Sequence, residues 1–145
     1  MKDQYLFVYG TLRKDFGSDR YPLLARYASL AGEGCFQGRL YRIDYYPGAI
    51  PSDDSAHQVK GEVYGLHEPE FVLSQLDRYE ECGPEFNEPT EYRREKHEVT
   101  LLNGRKVIAW VYIYNRPVEN FPLISSGDFL NAEALADKQD VVDGQ

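Results

Sequence analysis

Residues 103–114 read NGRKVIAWVYIY, and this stretch decides the fold. Val107, Ala109, Val111 and Ile113 alternate with Ile108, Trp110, Tyr112 and Tyr114. A strand over Lys106–Tyr114 is therefore apolar on both faces. Such a strand lies at the centre of a sheet or in the wall of a barrel. The Asn103-Gly104 pair tolerates positive φ at both residues and predicts a hairpin with a preceding strand over Tyr92–Leu102.

Working outward, three more strands are expected, over Gln4–Tyr9, Gly34–Ile43 and Val59–Leu66. Tyr5 to Tyr9 are aromatic or branched apolar residues that suit a buried strand. Helices are fewer. Leu23, Leu24, Tyr27 and Leu30 share one helical face, with Pro22 near the start. Glu68–Tyr79 places Val72, Leu73 and Leu76 on one face, and Gly127–Lys138 is read as a short terminal helix. The polar tail after about residue 137 is expected to fray. Strict βαβ alternation is absent, so the fold class is α+β with a mixed or barrel-like sheet. The 145 residues fit one domain, 1–145.

Composition excludes several function classes. Hydrophobic residues make up 42%, enough for a core, so the chain is not read as disordered. The formal net charge of −8 disfavours nucleic acid and anionic membrane as partners, since Arg93-Arg94-Glu95-Lys96 and Arg105-Lys106 are short or interrupted basic runs. Cys35 and Cys82 form no CxxC and no disulfide framework, which points to a reducing cytoplasm. No apolar run approaches membrane-spanning length, and the N-terminus lacks a signal-peptide layout.

No metal-ligand spacing links His57, His67 and His97, and no GxSxG, Walker loop or GxGxxG occurs. Two features carry chemistry. Gly10 and Thr11 end the first strand abruptly. Such a glycine makes a plain turn, or leaves successive N–H groups pointing one way as a nest for a carboxylate or oxyanion. The second is Leu76-Asp77-Arg78-Tyr79-Glu80-Glu81, where Glu80 and Glu81 oppose the dipole at a helix C-terminus. Beside Glu85, Glu88 and Glu91 this reads as a solvated acidic loop or as a functional carboxylate out of its ordinary electrostatic place.

Seven segments in order resolve the choice. VYGTL (8–12), GRLYRIDYYPGAI (38–50), VKGEVYGL (59–66), LDRYEE (76–81), EYRREKHEV (91–99), AWVYIY (109–114) and SGDF (126–129) together resemble the γ-glutamylcyclotransferase-like family, which includes γ-glutamylamine cyclotransferases and AIG2-like proteins. The resemblance runs from Tyr5 to about Leu130. It implies a compact mixed β-barrel with a few external helices, no cofactor, and a pocket for a small-molecule γ-glutamyl substrate. It implies Glu80 as the general acid/base and Tyr9, Gly10, Thr11 and Leu12 as the substrate-orienting loop. The loop N–H groups would then hold either the glutamyl part of the substrate or the oxyanion. Tyr9 and Tyr114 are expected pocket walls, with a plain core role open for Tyr114. Glu81 departs from the LDxYEG pattern of many relatives. The implied reaction is attack of the α-amine on its own γ-carbonyl, releasing 5-oxoproline and an amine or amino acid. Rival readings are a non-catalytic small-molecule-binding module and a protein-interaction domain using the acidic 80–91 stretch.

Overall fold

A computed structural model describes residues 4–10, 12–13, 21–80 and 90–130. Thr11, Glu81, Cys82, Glu85, Glu88, the expected terminal helix beyond Leu130 and the tail after 137 lie outside the described residues. The elements are β1 (Gln4–Val8), α1 (Tyr21–Tyr27), β2 (Ala28–Arg42), β3 (Pro47–Pro51), β4 (Gln58–Leu66), α2 (Pro69–Tyr79), β5 (Tyr92–Leu101) and β6 (Lys106–Tyr114).

Five strands close a ring in the order β1–β4–β2–β3–β6 and back to β1. Closure is mixed: β1 and β3 run parallel to β6, and the other pairs of the ring are antiparallel. The sixth strand, β5, is the hairpin partner of β6 and also touches β2 at Gly34↔Leu101 and Cys35↔Thr100. The expected hairpin is present: Gly104 has φ +89°, and the Leu101 N–H donates to the Arg105 carbonyl at 2.8 Å. The fold is thus the expected α+β barrel with external helices.

Period-2 patterning sorts the core into two layers. Phe7, Phe36, Ala49, Val63, Val111 and Ile113 come from five different strands and meet inside the barrel. Leu6, Val8, Tyr64 and Tyr112 are their outward-facing neighbours, and they pack against Leu24 of α1 and Val72, Leu73 and Leu76 of α2. The strand that is apolar on both faces is therefore a barrel wall covered by helices. Ile108 departs from this, because no helix among the described residues covers it and it is 57% exposed.

Two sequence expectations need correction. The first helix stops at Tyr27, and Leu30 lies in β2, where it is 50% exposed. Its spacing from Leu23 and Tyr27 was accidental, and pairing with β4 overrides it. The strand expected over Gly34–Ile43 begins at Ala28; it pairs with β4 from Ala28 to Gln37, with a register shift between Leu30 and Gly32, and with β3 from Gly38 to Arg42. The other correction is β3, which reads PGAIP and carries no strand signal. It exists because β2 pairs along its whole length and β6 meets it at Ala49↔Ile113. Its prolines stand at the two ends, where a missing N–H costs least.

Candidate active site

The site grows from a divergence between strands. β1 pairs with β6 only at Tyr5↔Ala109 and Leu6↔Trp110, after which β3 takes over beside β6 at Ala49↔Ile113. Tyr9 occupies the gap. Its buried hydroxyl donates to the Tyr112 carbonyl at 2.5 Å and accepts the Ala49 N–H at 3.2 Å. One side chain thus bonds two backbone groups of different strands at the point where the strands diverge. Burial, with Glu80 nearby, pushes the phenol far above its ordinary range, so Tyr9 stays neutral.

At this point a cavity of about 350 Å³ opens, lined by Tyr9, Gly10, Leu12 and Glu80 among others. Tyr9, Gly10 and Leu12 of the expected loop and the expected base are therefore brought together. The Arg13 N–H donates to the Gly10 carbonyl at 3.0 Å, so residues 10–13 form a turn. A Cβ on Gly10 would meet Cγ and Cδ of Pro47 at 2.7 Å, so glycine is required by close approach. Gly10→Val is expected to displace the turn from Pro47 and raise KM about tenfold, equivalent to ~1.4 kcal/mol of binding. A folded variant with unchanged KM in steady-state kinetics would refute that.

Glu80 follows from local helix geometry. It caps α2, its N–H donating to the Leu76 carbonyl at 2.8 Å. Lying four residues after the fully buried Leu76, it shares the core-facing side of the helix. Among the described residues, none donates a hydrogen bond to its carboxylate. Burial, then Glu91, then Asp77 push its pKa up to about 8. Asp77 is turned away from this role. Arg94 binds it through Nε at 2.7 Å and Nη2 at 3.0 Å, and the Tyr112 hydroxyl donates to it at 2.8 Å. Arg94 also lies 4.3 Å above the Trp110 ring, which fixes the guanidinium from behind.

Sequence reasoning gave no site role to Asp44, Tyr45, Tyr46, Glu91 and Tyr92, all of which line the cavity. Tyr46 donates to Glu91. The Tyr92 hydroxyl donates to the Pro47 carbonyl at 2.6 Å, tying the start of β5 to β3. The signal for these lining residues was membership in the segments GRLYRIDYYPGAI (38–50) and EYRREKHEV (91–99) that carry the family resemblance. Tyr114 is not among the lining residues. It packs edge-on against Tyr92 at 5.5 Å and backs the wall from the helix-facing layer.

None of the three histidines lines the cavity. His67 bonds Ser29 at 2.7 Å and His97 bonds Glu95 at 2.9 Å. His57 approaches Ser52 at 3.0 Å and Asp54 at 4.0 Å, but Ser52 Oγ also accepts the Asp54 N–H at 3.1 Å. That arrangement stabilises an exposed turn outside the cavity.

A family model described as gamma-glutamyl cyclotransferase, AIG2-like, matches residues 6–131. The chain belongs to this family. It is 33% identical over 129 residues to the gamma-glutamylcyclotransferase family protein YtfP of Escherichia coli K12, covering 88% of this chain and 97% of that one. The crystal structure of YkqA from Bacillus subtilis superposes with a TM-score of 0.71 at 27% identity, covering 94% of this chain. This chain spans 43% of YkqA. A mouse AIG2-like protein superposes with a TM-score of 0.67 at 26% identity, covering 86% of this chain and 88% of its own. No helix among the described residues is long and apolar enough to cross a membrane.

Proposed function

We propose that this protein is a γ-glutamylcyclotransferase with Glu80 as the general acid/base. The observation that carries the proposal is Glu80 itself: an acid raised to about 8, without a hydrogen-bond donor among the described residues, beside the Tyr9–Gly10 end of β1 in one cavity. A carboxylate near pH 7 in proton affinity suits proton transfer to and from an amine.

The α-nitrogen of a γ-glutamyl group enters as an ammonium and must lose a proton before it has a lone pair. Glu80 accepts that proton. The freed amine attacks the γ-carbonyl carbon, the C–N bond of the ring forms, and negative charge gathers on the carbonyl oxygen. Backbone N–H groups of the 10–13 turn are the proposed donors to that oxygen or to the glutamyl part of the substrate. The bond to the leaving nitrogen breaks as Glu80 returns its proton there. The attacking nitrogen loses two protons in all and the leaving nitrogen gains two, the second through solvent. The products are 5-oxoproline and an amine or amino acid. The walls supply the rest, because folding the flexible glutamyl chain into a ring-like conformer before reaction removes its entropy cost from the barrier.

The test is 5-oxoproline release from a panel of γ-glutamyl amino acids and γ-glutamyl amines. Release is the expected result, and the preferred leaving group defines the substrate. A panel that yields no 5-oxoproline while glutamate or 5-oxoproline binds would replace the enzyme reading with a binding module.

A further inference from the structure

We propose that Arg13 is a positioning residue, and that its buried ion pairs with Glu62 and Asp128 hold the 10–13 turn against the cavity. The inference rests on reading that turn as part of the substrate site.

Arg13 is only 6% exposed, unusual for an arginine. Its Nη1 donates to Asp128 Oδ1 at 2.9 Å, and its Nε faces Glu62 Oε2 at 3.5 Å. Both partners are themselves fixed. Glu62 is equally buried on β4 and accepts the Tyr64 hydroxyl at 2.9 Å. Asp128 sits in the SGDF segment, where its N–H donates to Ser126 Oγ at 3.2 Å and its Oδ1 accepts the Leu130 N–H at 3.2 Å. The preceding Gly127 has φ +71°, its carbonyl accepts the Lys60 N–H at 2.7 Å, and a Cβ there would lie 1.8 Å from the Gln58 carbonyl oxygen. Asp128 is thus locked onto β4 beside Glu62.

The same arginine closes the turn through its backbone N–H. One residue therefore shapes the turn and ties it to two distant segments. β1 ends at Val8, so beyond Tyr9 the chain has left the sheet ladder. The stability such a cluster adds is small, because desolvation of buried charges offsets most of their attraction. What the cluster supplies is direction: Gly10 and Leu12 reach the cavity at a set depth relative to Glu80. This also gives the SGDF segment a part in the site that its distance in sequence conceals.

The experiment compares wild type with Arg13→Lys and with the charge-free triple variant Arg13→Met/Glu62→Gln/Asp128→Asn. Both are read by melting temperature, by kcat and KM for the best γ-glutamyl substrate, and by the backbone amide resonances of Gly10 and Leu12. The triple variant is expected to stay folded, lose about 10²-fold in kcat/KM, mainly in kcat, and shift both amides, the scale of a small misplacement of reacting groups. Arg13→Lys keeps the Asp128 contact and is expected to lose about tenfold, a partial rescue of the same displacement. Wild-type kcat/KM and unmoved Gly10 and Leu12 amides in a folded variant would overturn the inference. If the triple variant fails to fold, Arg13→Lys settles the question by the same two readouts. If wild type releases no 5-oxoproline from any compound, the proposed function fails, and the amide shifts alone decide the positioning role.

Discussion

Glu80→Gln is expected to keep the barrel intact and to lower turnover by ~10²–10⁴-fold, the contribution of a positioned acid–base group. Glutamine matches the shape of the side chain but neither takes nor returns a proton. The pH profile carries the same test further. With the acid at about 8, kcat/KM of wild type should fall about tenfold for each pH unit below that value, because only the ionised carboxylate accepts the ammonium proton. Stability should run the other way. The folded state binds the Glu80 proton more tightly than the unfolded chain, whose carboxyl has the ordinary value of 4.5. Its contribution is therefore fully present below pH 4.5 and is lost as pH rises through about 8. Glu80→Gln removes that dependence, so the variant should gain melting temperature relative to wild type between those limits. Wild-type turnover in the variant would remove Glu80 from the mechanism. A melting difference that is flat across this window would remove the strained carboxylate.

Tyr9→Phe is expected to destabilise the protein by about 2–6 kcal/mol, because it removes the partner of two buried backbone groups at once and each unsatisfied group costs ~1–3 kcal/mol. The groups are the Tyr112 carbonyl and the Ala49 N–H, which the hydroxyl bridges where β1 leaves β6. The rings are otherwise the same size, so the loss isolates the hydroxyl from the packing. Urea unfolding should show a lower midpoint with an unchanged slope, the signature of altered stability without altered compactness. Turnover should fall too, through movement of β3 and of Pro47 against Gly10, and by less than in Glu80→Gln. A midpoint within error of wild type would mean that water replaces the hydroxyl and that the strand gap is not sealed by Tyr9.

Much of this was legible in one dimension. The strands β1, β4, β5 and β6 announce themselves by residue type or two-residue alternation, and the β5–β6 turn by Asn103-Gly104. The helix α2 follows from Val72, Leu73 and Leu76, and the family resemblance singled out the carboxylate four residues beyond Leu76. These are local signals, in which a residue's partners lie within a turn of helix or across a hairpin. Signals of that kind survive in the linear order of the chain.

The rest depended on who meets whom. No local preference makes Pro47–Pro51 a strand; β2 and β6 do, by offering hydrogen bonds on both sides. Leu30 fits a helical face by spacing and still becomes strand, because β4 pairs with its backbone. Asp44, Tyr45, Tyr46, Glu91 and Tyr92 become site residues only when barrel closure brings the β2–β3 loop and the start of β5 beside the end of β1. Tyr114, one step along the same strand face as Tyr112, falls behind the wall. Arg13 and Asp128 lie 115 residues apart and meet beside Glu62. Sequence by itself determined β1, β4, β5, β6 and α2 and, through the resemblance, the expected base, since periodicity is a property of neighbours along the chain. Tertiary structure alone decided the cavity, the raised pKa of Glu80 and the anchoring of the turn. Those are set by closing distances between segments and by excluding water, which linear order does not encode.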